Sequence, residues 1–175
     1  KAFTLIELII YIAILAIIFV STFGFLWNII GGSVRVSTSA ELTYSARLVI
    51  DNITRSGQGA NDVLTASSIF DTHPGVLVFA NTAGDITFDT VTKNILVGSQ
   101  SVTIRKLRMK IGTASPIDLT SDKVDVTNFV VKNRTRGTEP KNVKIVVKIA
   151  LVNPGQDSMR NQSISFQTAV SIRKQ

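Results

Sequence analysis

The sequence contains no cysteine, and it has only four prolines and one histidine. The lack of cysteine excludes disulfide bonds, thiolate catalysis and cysteine-ligated metals. The single histidine, His73, stands beside Pro74, and Asp71 is its one acidic neighbour in a segment that favours a loop. We therefore predict a turn residue at this position, rather than a metal ligand or a catalytic base.

Other candidates for chemistry are weak. Three acids, Asp118, Asp122 and Asp125, do not have the spacing of an EF-hand loop, so we expect acids of turns and strand ends. The segment Gly57–Gly59 is too short for a phosphate-binding loop, and no lysine follows it. No Ser-His-Asp or paired-carboxylate pattern stands out. We expect a protein that is not an enzyme and has neither a metal nor a cofactor.

Charge is distributed unevenly along the chain, whose net charge is +7. Residues 1–100 carry five basic and seven acidic side chains, whereas residues 101–175 carry fourteen and five. Basic residues in the second part form two groups, which are Arg105, Lys106, Arg108 and Lys110, and then Arg134, Arg136, Lys141 and Lys144. They are candidates for weak contact with a polyanion such as DNA. Solvated strand edges, where such residues discourage edge pairing, are the preferred interpretation, because the basic residues are not interleaved with aromatic residues.

A long apolar run dominates the start of the chain. Glu7 is the only charged residue between Leu5 and Ile30. At ~1.5 Å per residue this run would form a helix of about 39 Å, which exceeds the ~30 Å of a bilayer core. It is longer than the apolar region of a cleavable secretory signal, and no small-x-small site follows it. The run is predicted to span a membrane.

Helical periodicity resumes after the apolar run. An apolar stripe is formed by Leu42, Ala46, Val49, Ile50 and Ile53. We predict one helix over about residues 3–56, apolar in residues 1–32 and amphipathic in residues 33–57. Glycines supply a flexible joint in this prediction, at Gly24, Gly31 and Gly32.

Residues 58–175 are predicted to form a linker and an antiparallel β-meander. Alternation of apolar and polar residues is clearest in 142–152 and 162–173. Further strands are predicted at 75–81, 84–90, 94–97, 102–109 and 123–132, and turns at 82–84, 91–93 and 113–116. Because the apolar strand faces match the helix stripe, the predicted fold class is α+β, with residues 33–175 as a globular head.

The stretch Ala2–Ile10, AFTLIELII, resembles the processing and assembly motif of the type IV pilin superfamily, which includes pilins and pseudopilins. The resemblance implies cleavage by prepilin peptidase between Ala2 and Phe3, N-methylation of Phe3, and a role for Phe3 and Glu7 in assembly. Glycine usually precedes this cut, and alanine stands here. A mature end at Lys1 is the alternative.

The same resemblance implies a function. It implies a filament subunit that is inserted in the cytoplasmic membrane before assembly. A membrane platform would then assemble such subunits into a homopolymer on the cell surface, which serves adhesion, motility or DNA uptake. Residues 46–60 resemble the corresponding helix end of minor pilins and J-type pseudopilins, so a secretion or competence pseudopilin is the alternative. A membrane-tethered binding module that does not polymerise is a second alternative.

Glu7 fits the filament interpretation on physical grounds. An ionised carboxylate at membrane depth costs roughly 2.5–3.5 kcal/mol. A plain anchor gains nothing from that cost, whereas a filament subunit gains an acceptor for the α-ammonium of a neighbouring subunit. The alternative is a side chain that reaches the interface from a helix end.

Overall fold

The structure is a computed structural model that describes residues 4–137, 141–155 and 161–172. One helix, α1 (Leu5–Gln58), is followed by strands. In chain order, the strands are β1 (Asp62–Val63), β2 (Leu77–Ala80), β3 (Ile86–Val97), β4 (Gln100–Ile111), β5 (Ile117–Asp118), β6 (Val124–Asn133), β7 (Lys141–Leu151) and β8 (Ser163–Ile172). The chain divides into two compact units, of which the first ends at Ser37 and the second begins at Thr38.

The first unit is helical, and α1 runs without interruption through Gly24, Gly31 and Gly32. A side chain at Gly24 or Gly32 would meet no other atom within 4 Å. The structure thus places these glycines inside a regular helix, and a flexible joint at them stays a prediction.

The second unit contains two antiparallel sheets. A five-stranded sheet has the order β1-β2-β3-β4-β5, and a three-stranded sheet has the order β6-β7-β8. Within each sheet, every pairing joins strands that are consecutive in the sequence, as in a meander. The α+β prediction is confirmed, although the strands divide between two sheets rather than forming one.

The core of the second unit lies between α1 and the sheets. The predicted stripe of α1 is confirmed at Leu42, Ala46, Val49 and Ile53, which are all buried, whereas Ile50 is half-buried. Strand residues complete this core, and among the largest are Phe79, Phe88, Phe129, Ile145 and Ile149. The rings of Phe79 and Phe88 meet edge to face with centroids 6.1 Å apart, a favourable aromatic geometry.

The predicted turn at 91–93 is wrong. β3 continues through these residues and pairs with β4 from Ile86↔Ile111 to Val97↔Gln100. The chain reverses instead just after β3, where Gly98 has a positive φ of 63° that favours glycine. The outcome is a hairpin of two twelve-residue strands.

Candidate functional site

The start of α1 has the sequence pattern of a capping box, and the backbone hydrogen bonds place Thr4 at its N-terminal end. The carbonyl of Thr4 accepts hydrogen bonds from the backbone N–H groups of Glu7, at 3.1 Å, and Leu8, at 3.3 Å. Thr4 is therefore the N-cap residue and Glu7 the third helical residue, which matches the Thr-x-x-Glu pattern. A carboxylate in the first turn also interacts favourably with the helix dipole. The spacing of Thr4 and Glu7 is the signal in the sequence that predicts this helix start.

Glu7 stands at the exposed start of the apolar run. Residues 4–137, 141–155 and 161–172 supply no hydrogen bond or ion pair to its carboxylate. The two other residues of the predicted processing site, Ala2 and Phe3, lie outside the described residues. The carboxylate is thus available for a partner from outside the described part of this chain.

The apolar run presents hydrophobic side chains on all faces of α1. The residues are largely uncovered, as shown by exposed fractions of 77% at Leu5 and 72% at Trp27. The helix is long and apolar enough to cross a membrane. Since water would solvate such a surface poorly, the run requires lipid or other apolar helices around it.

Polar side chains within the run are satisfied by the helix itself. The hydroxyl of Ser21 donates to the carbonyl of Ile17 at 2.7 Å, and that of Thr22 donates to Ile18 at 2.8 Å. The amide of Asn28 donates to the carbonyl of Gly24 at 3.0 Å. Donors paired in this way enter an apolar environment without an unsatisfied hydrogen bond. Glu7 is therefore the one charged group of the run, and the run supplies it with no counter-ion.

The basic group on β4 is largely committed to internal pairs. Lys106 is only 4% exposed, and its Nζ lies 2.9 Å from Asp118 Oδ2 and 2.6 Å from Asp122 Oδ1. The guanidinium of Arg108 donates two hydrogen bonds to Asp89, at 2.6 and 2.8 Å. Neither side chain is free to hold a polyanion without losing these partners.

Opposing influences act on the pKa of Lys106. Burial, the largest influence, lowers this pKa, but hydrogen bonds and charges from Asp122 and Asp118 together outweigh burial and raise it. In return, the hydrogen bond and charge of Lys106 lower the pKa of the Asp122 carboxyl. The hydrogen bonds to Asp89 raise the pKa of Arg108. These groups are therefore ion pairs at neutral pH.

The other predicted polyanion contacts are more accessible. Lys110, Arg134 and Arg136 are exposed, and none of the ion pairs among the described residues includes them. Arg105 is partly buried, and its Nη1 lies 2.6 Å from His73 Nε2. His73 in turn accepts a hydrogen bond from the Phe129 N–H at 2.9 Å, so it ties its loop to β6.

A family model matches the chain at residues 1–23, and its description is the prokaryotic N-terminal methylation motif. The match spans the predicted processing site, the capping box and most of the apolar run, so the resemblance noted in the sequence is confirmed for this segment. No curated protein and no solved structure matches the chain.

Proposed function

From the methylation motif of residues 1–23, which is the signature of type IV pilins and pseudopilins, we propose that this chain is a structural subunit of a pilus-like filament. In this proposal, prepilin peptidase cuts before Phe3 and the new amine is methylated. The apolar run holds the subunit in the cytoplasmic membrane and later packs against the same run of other copies in the filament core. The head faces outward.

The observation that carries the proposal is that Glu7, whose carboxylate has no partner among residues 4–137, 141–155 and 161–172, lies in an otherwise uncharged and exposed run. A tether would work equally well without the carboxylate. In a filament, the carboxylate accepts the amine of Phe3 from a neighbouring copy, and charge-assisted hydrogen bonds of this kind are strong in a medium of low dielectric constant. Because the pair forms only at one axial offset between helices, it sets the register of assembly.

Glu7→Ala is expected to leave membrane insertion intact and to abolish filaments. Insertion gains from the loss of a carboxylate that costs roughly 2.5–3.5 kcal/mol at membrane depth, whereas assembly loses the acceptor. The measurement compares membrane-bound subunit by immunoblot with surface fibres by electron microscopy, in cells without a wild-type copy.

Glu7→Gln separates the charge of Glu7 from the place that this residue has in the Thr-x-x-Glu capping pattern. Glutamine keeps the pattern, in which Glu and Gln are interchangeable, but it removes the charge. If the charge is what assembly needs, Glu7→Gln behaves as Glu7→Ala, while Thr4→Val, which removes the cap hydroxyl alone, still forms fibres. Normal fibres from Glu7→Ala would refute the proposal, and normal fibres from Glu7→Gln alone would reduce Glu7 to a helix cap.

A further inference from the structure

The outer face of the three-stranded sheet carries lysines that the structure brings together from separate parts of the sequence. On β7, the buried residues Val143, Ile145, Val147 and Ile149 alternate with residues that face away from the core. Two of those outward residues are Lys144 and Lys148. A third lysine, Lys132, comes from β6. We call these three residues the lysine face.

The strand register places two of the three lysines directly opposite each other. Lys132 pairs across the strands with Lys144, and Lys148 pairs with Asn128 on one side and Ser165 on the other. Four residues along a strand separate Lys144 from Lys148, a distance of about 13 Å. Like charges placed opposite each other in a sheet are unfavourable unless an anion lies between or above them.

No acid of the described strands neutralises the lysine face. None of the three lysines forms an ion pair with a described residue. The carboxylate nearest to them in the register of β6–β8 is Asp125, which pairs with Ala150 and is thus a diagonal neighbour of Lys148; its Oδ1 accepts a hydrogen bond from the Arg105 N–H at 2.7 Å instead of forming an ion pair with a lysine. The exposed residues of β8 add no charge, and they are Ser163, Ser165, Gln167, Ala169 and Ser171.

This arrangement differs from the basic group that is densest in the sequence. Lys106 and Arg108 are held by carboxylates of the same head, whereas Lys132, Lys144 and Lys148 have no such partners among the described residues. Cations without an acidic partner can neutralise the phosphates of a polyanion and so release its condensed counter-ions into solution.

We infer that the lysine face binds the phosphate backbone of double-stranded DNA. Lysine ammonium groups bind phosphate as point charges, without a demand for one base sequence. The outer face of β6–β8 presents no aromatic ring in its described residues, since Phe129 and Phe166 belong to the core side, so single strands find no stacking platform there. The apolar side chains between the lysines on this face are Val130 and Val146, which pair with each other and are only half-exposed, and the described face carries no exposed aromatic or long aliphatic side chain that could enter a bilayer, which disfavours an anionic membrane as the partner.

The expected binding is weak and strongly dependent on salt. Each phosphate neutralised on duplex DNA contributes about 0.9 to the slope of log K against log salt concentration, so three lysines give a slope near −2.7. This slope corresponds to a loss of affinity of roughly 40-fold between 50 and 200 mM salt. The inference concerns the head and does not depend on whether the chain forms filaments.

The test uses the full chain in neutral detergent and a fluorescent duplex of about thirty base pairs, with affinity measured over a range of salt concentrations. The face variant combines Lys132→Gln, Lys144→Gln and Lys148→Gln. The matched control combines Arg47→Gln, Arg55→Gln and Lys110→Gln, which removes the same charge from exposed positions away from the lysine face. We expect the face variant to lose nearly all of the salt dependence, and the control to keep most of it.

Three results would overturn the inference. Equal losses from the face variant and the control would mean that net charge alone attracts DNA. An unchanged face variant would place binding elsewhere on the chain. Tighter binding to anionic lipid vesicles than to duplex DNA, with the same dependence on the three lysines, would identify a membrane surface as the partner. Circular dichroism of both variants checks that the sheet is retained.

Discussion

Replacing both carboxylates around Lys106, as Asp118→Ala with Asp122→Ala, is expected to destabilise the head by about 3 kcal/mol or more. The ammonium of Lys106 is almost fully buried, and the two alanines leave it without an anion. A buried charge that loses its partners costs far more than the intact pair contributes. The measurement is urea unfolding of the full chain in detergent, followed by circular dichroism of the sheet.

Lys106→Met provides the matched comparison for this prediction. Methionine fills a similar volume without a charge, and the two aspartates left behind are 34% and 63% exposed, so water can solvate them. We expect a cost well below that of the double alanine variant. A larger loss of unfolding free energy in Lys106→Met than in the double alanine variant would contradict this prediction. It would mean that the two carboxylates depend on the lysine more than the buried lysine depends on them.

The same cluster predicts how stability changes with pH. The pKa of Asp122 is lowered in the folded head, so its contribution is present above the ordinary aspartate pKa of about 3.9 and is lost as the pH falls through the lower folded value. The pKa of Lys106 is raised, so its contribution is lost only as the pH rises above about 10.4. The stability difference between the wild type and Asp122→Ala should therefore be constant from about pH 5 to 9 and shrink in stronger acid.

Gly57→Ala is expected to destabilise the head by about 1–3 kcal/mol, although alanine normally stabilises a helix relative to glycine. Gly57 lies in the last turn of α1, where a Cβ atom would overlap Val170 Cγ1 and stand 3.2 Å from Phe79 Cζ. Both neighbours are buried, and the branched valine has little freedom to turn away. The close contact between α1 and β8 at this point therefore requires glycine at position 57.

A double-mutant cycle isolates this contact. Val170→Ala removes the methyl group that a Cβ at position 57 would meet, so the combined variant should be more stable than the sum of the single effects predicts. Gly59→Ala is the control, because its nearest neighbour, the Arg55 carbonyl, lies at an ordinary 3.7 Å. A neutral Gly57→Ala, or full additivity with Val170→Ala, would contradict the packing argument.

Periodic elements of the fold could be predicted from the sequence. The stripe from Leu42 to Ile53 is apparent because a helix that packs on a sheet repeats its apolar positions every three or four residues. β7 and β8 follow from strict alternation, since one face of each strand is buried and the other is solvated. The apolar run of membrane-spanning length could be predicted from composition alone.

Features that depend on pairing between distant segments could not be predicted. The 91–93 segment resembles a turn because Thr92 and Lys93 are polar, yet it is a largely exposed strand that is held by its register with β4 and by the ion pair of Lys93 with Asp118 at 3.7 Å. β1 and β5 have two residues each, which is too short for any period to appear.

The same limit applies to the charged residues. The run from Arg105 to Lys110 has the appearance of a free basic patch until the register brings Asp89 opposite Arg108, and Asp118 beside the same strand. Conversely, Lys132 and Lys144 stand in different predicted strands, and only the pairing of β6 with β7 places them together. A cluster in sequence is therefore a poor guide to a cluster in space on a sheet.

The measurement that tests the central claim most directly is the mass of the mature amino terminus, taken from the subunit purified from its native membrane. The filament proposal predicts a chain that begins at Phe3 and carries one additional methyl group on its amine, because that amine is the partner of Glu7 in the next subunit. A chain that retains Ala2 and the residue before it, with an unmodified amine, would contradict the account and leave the apolar run as a tether.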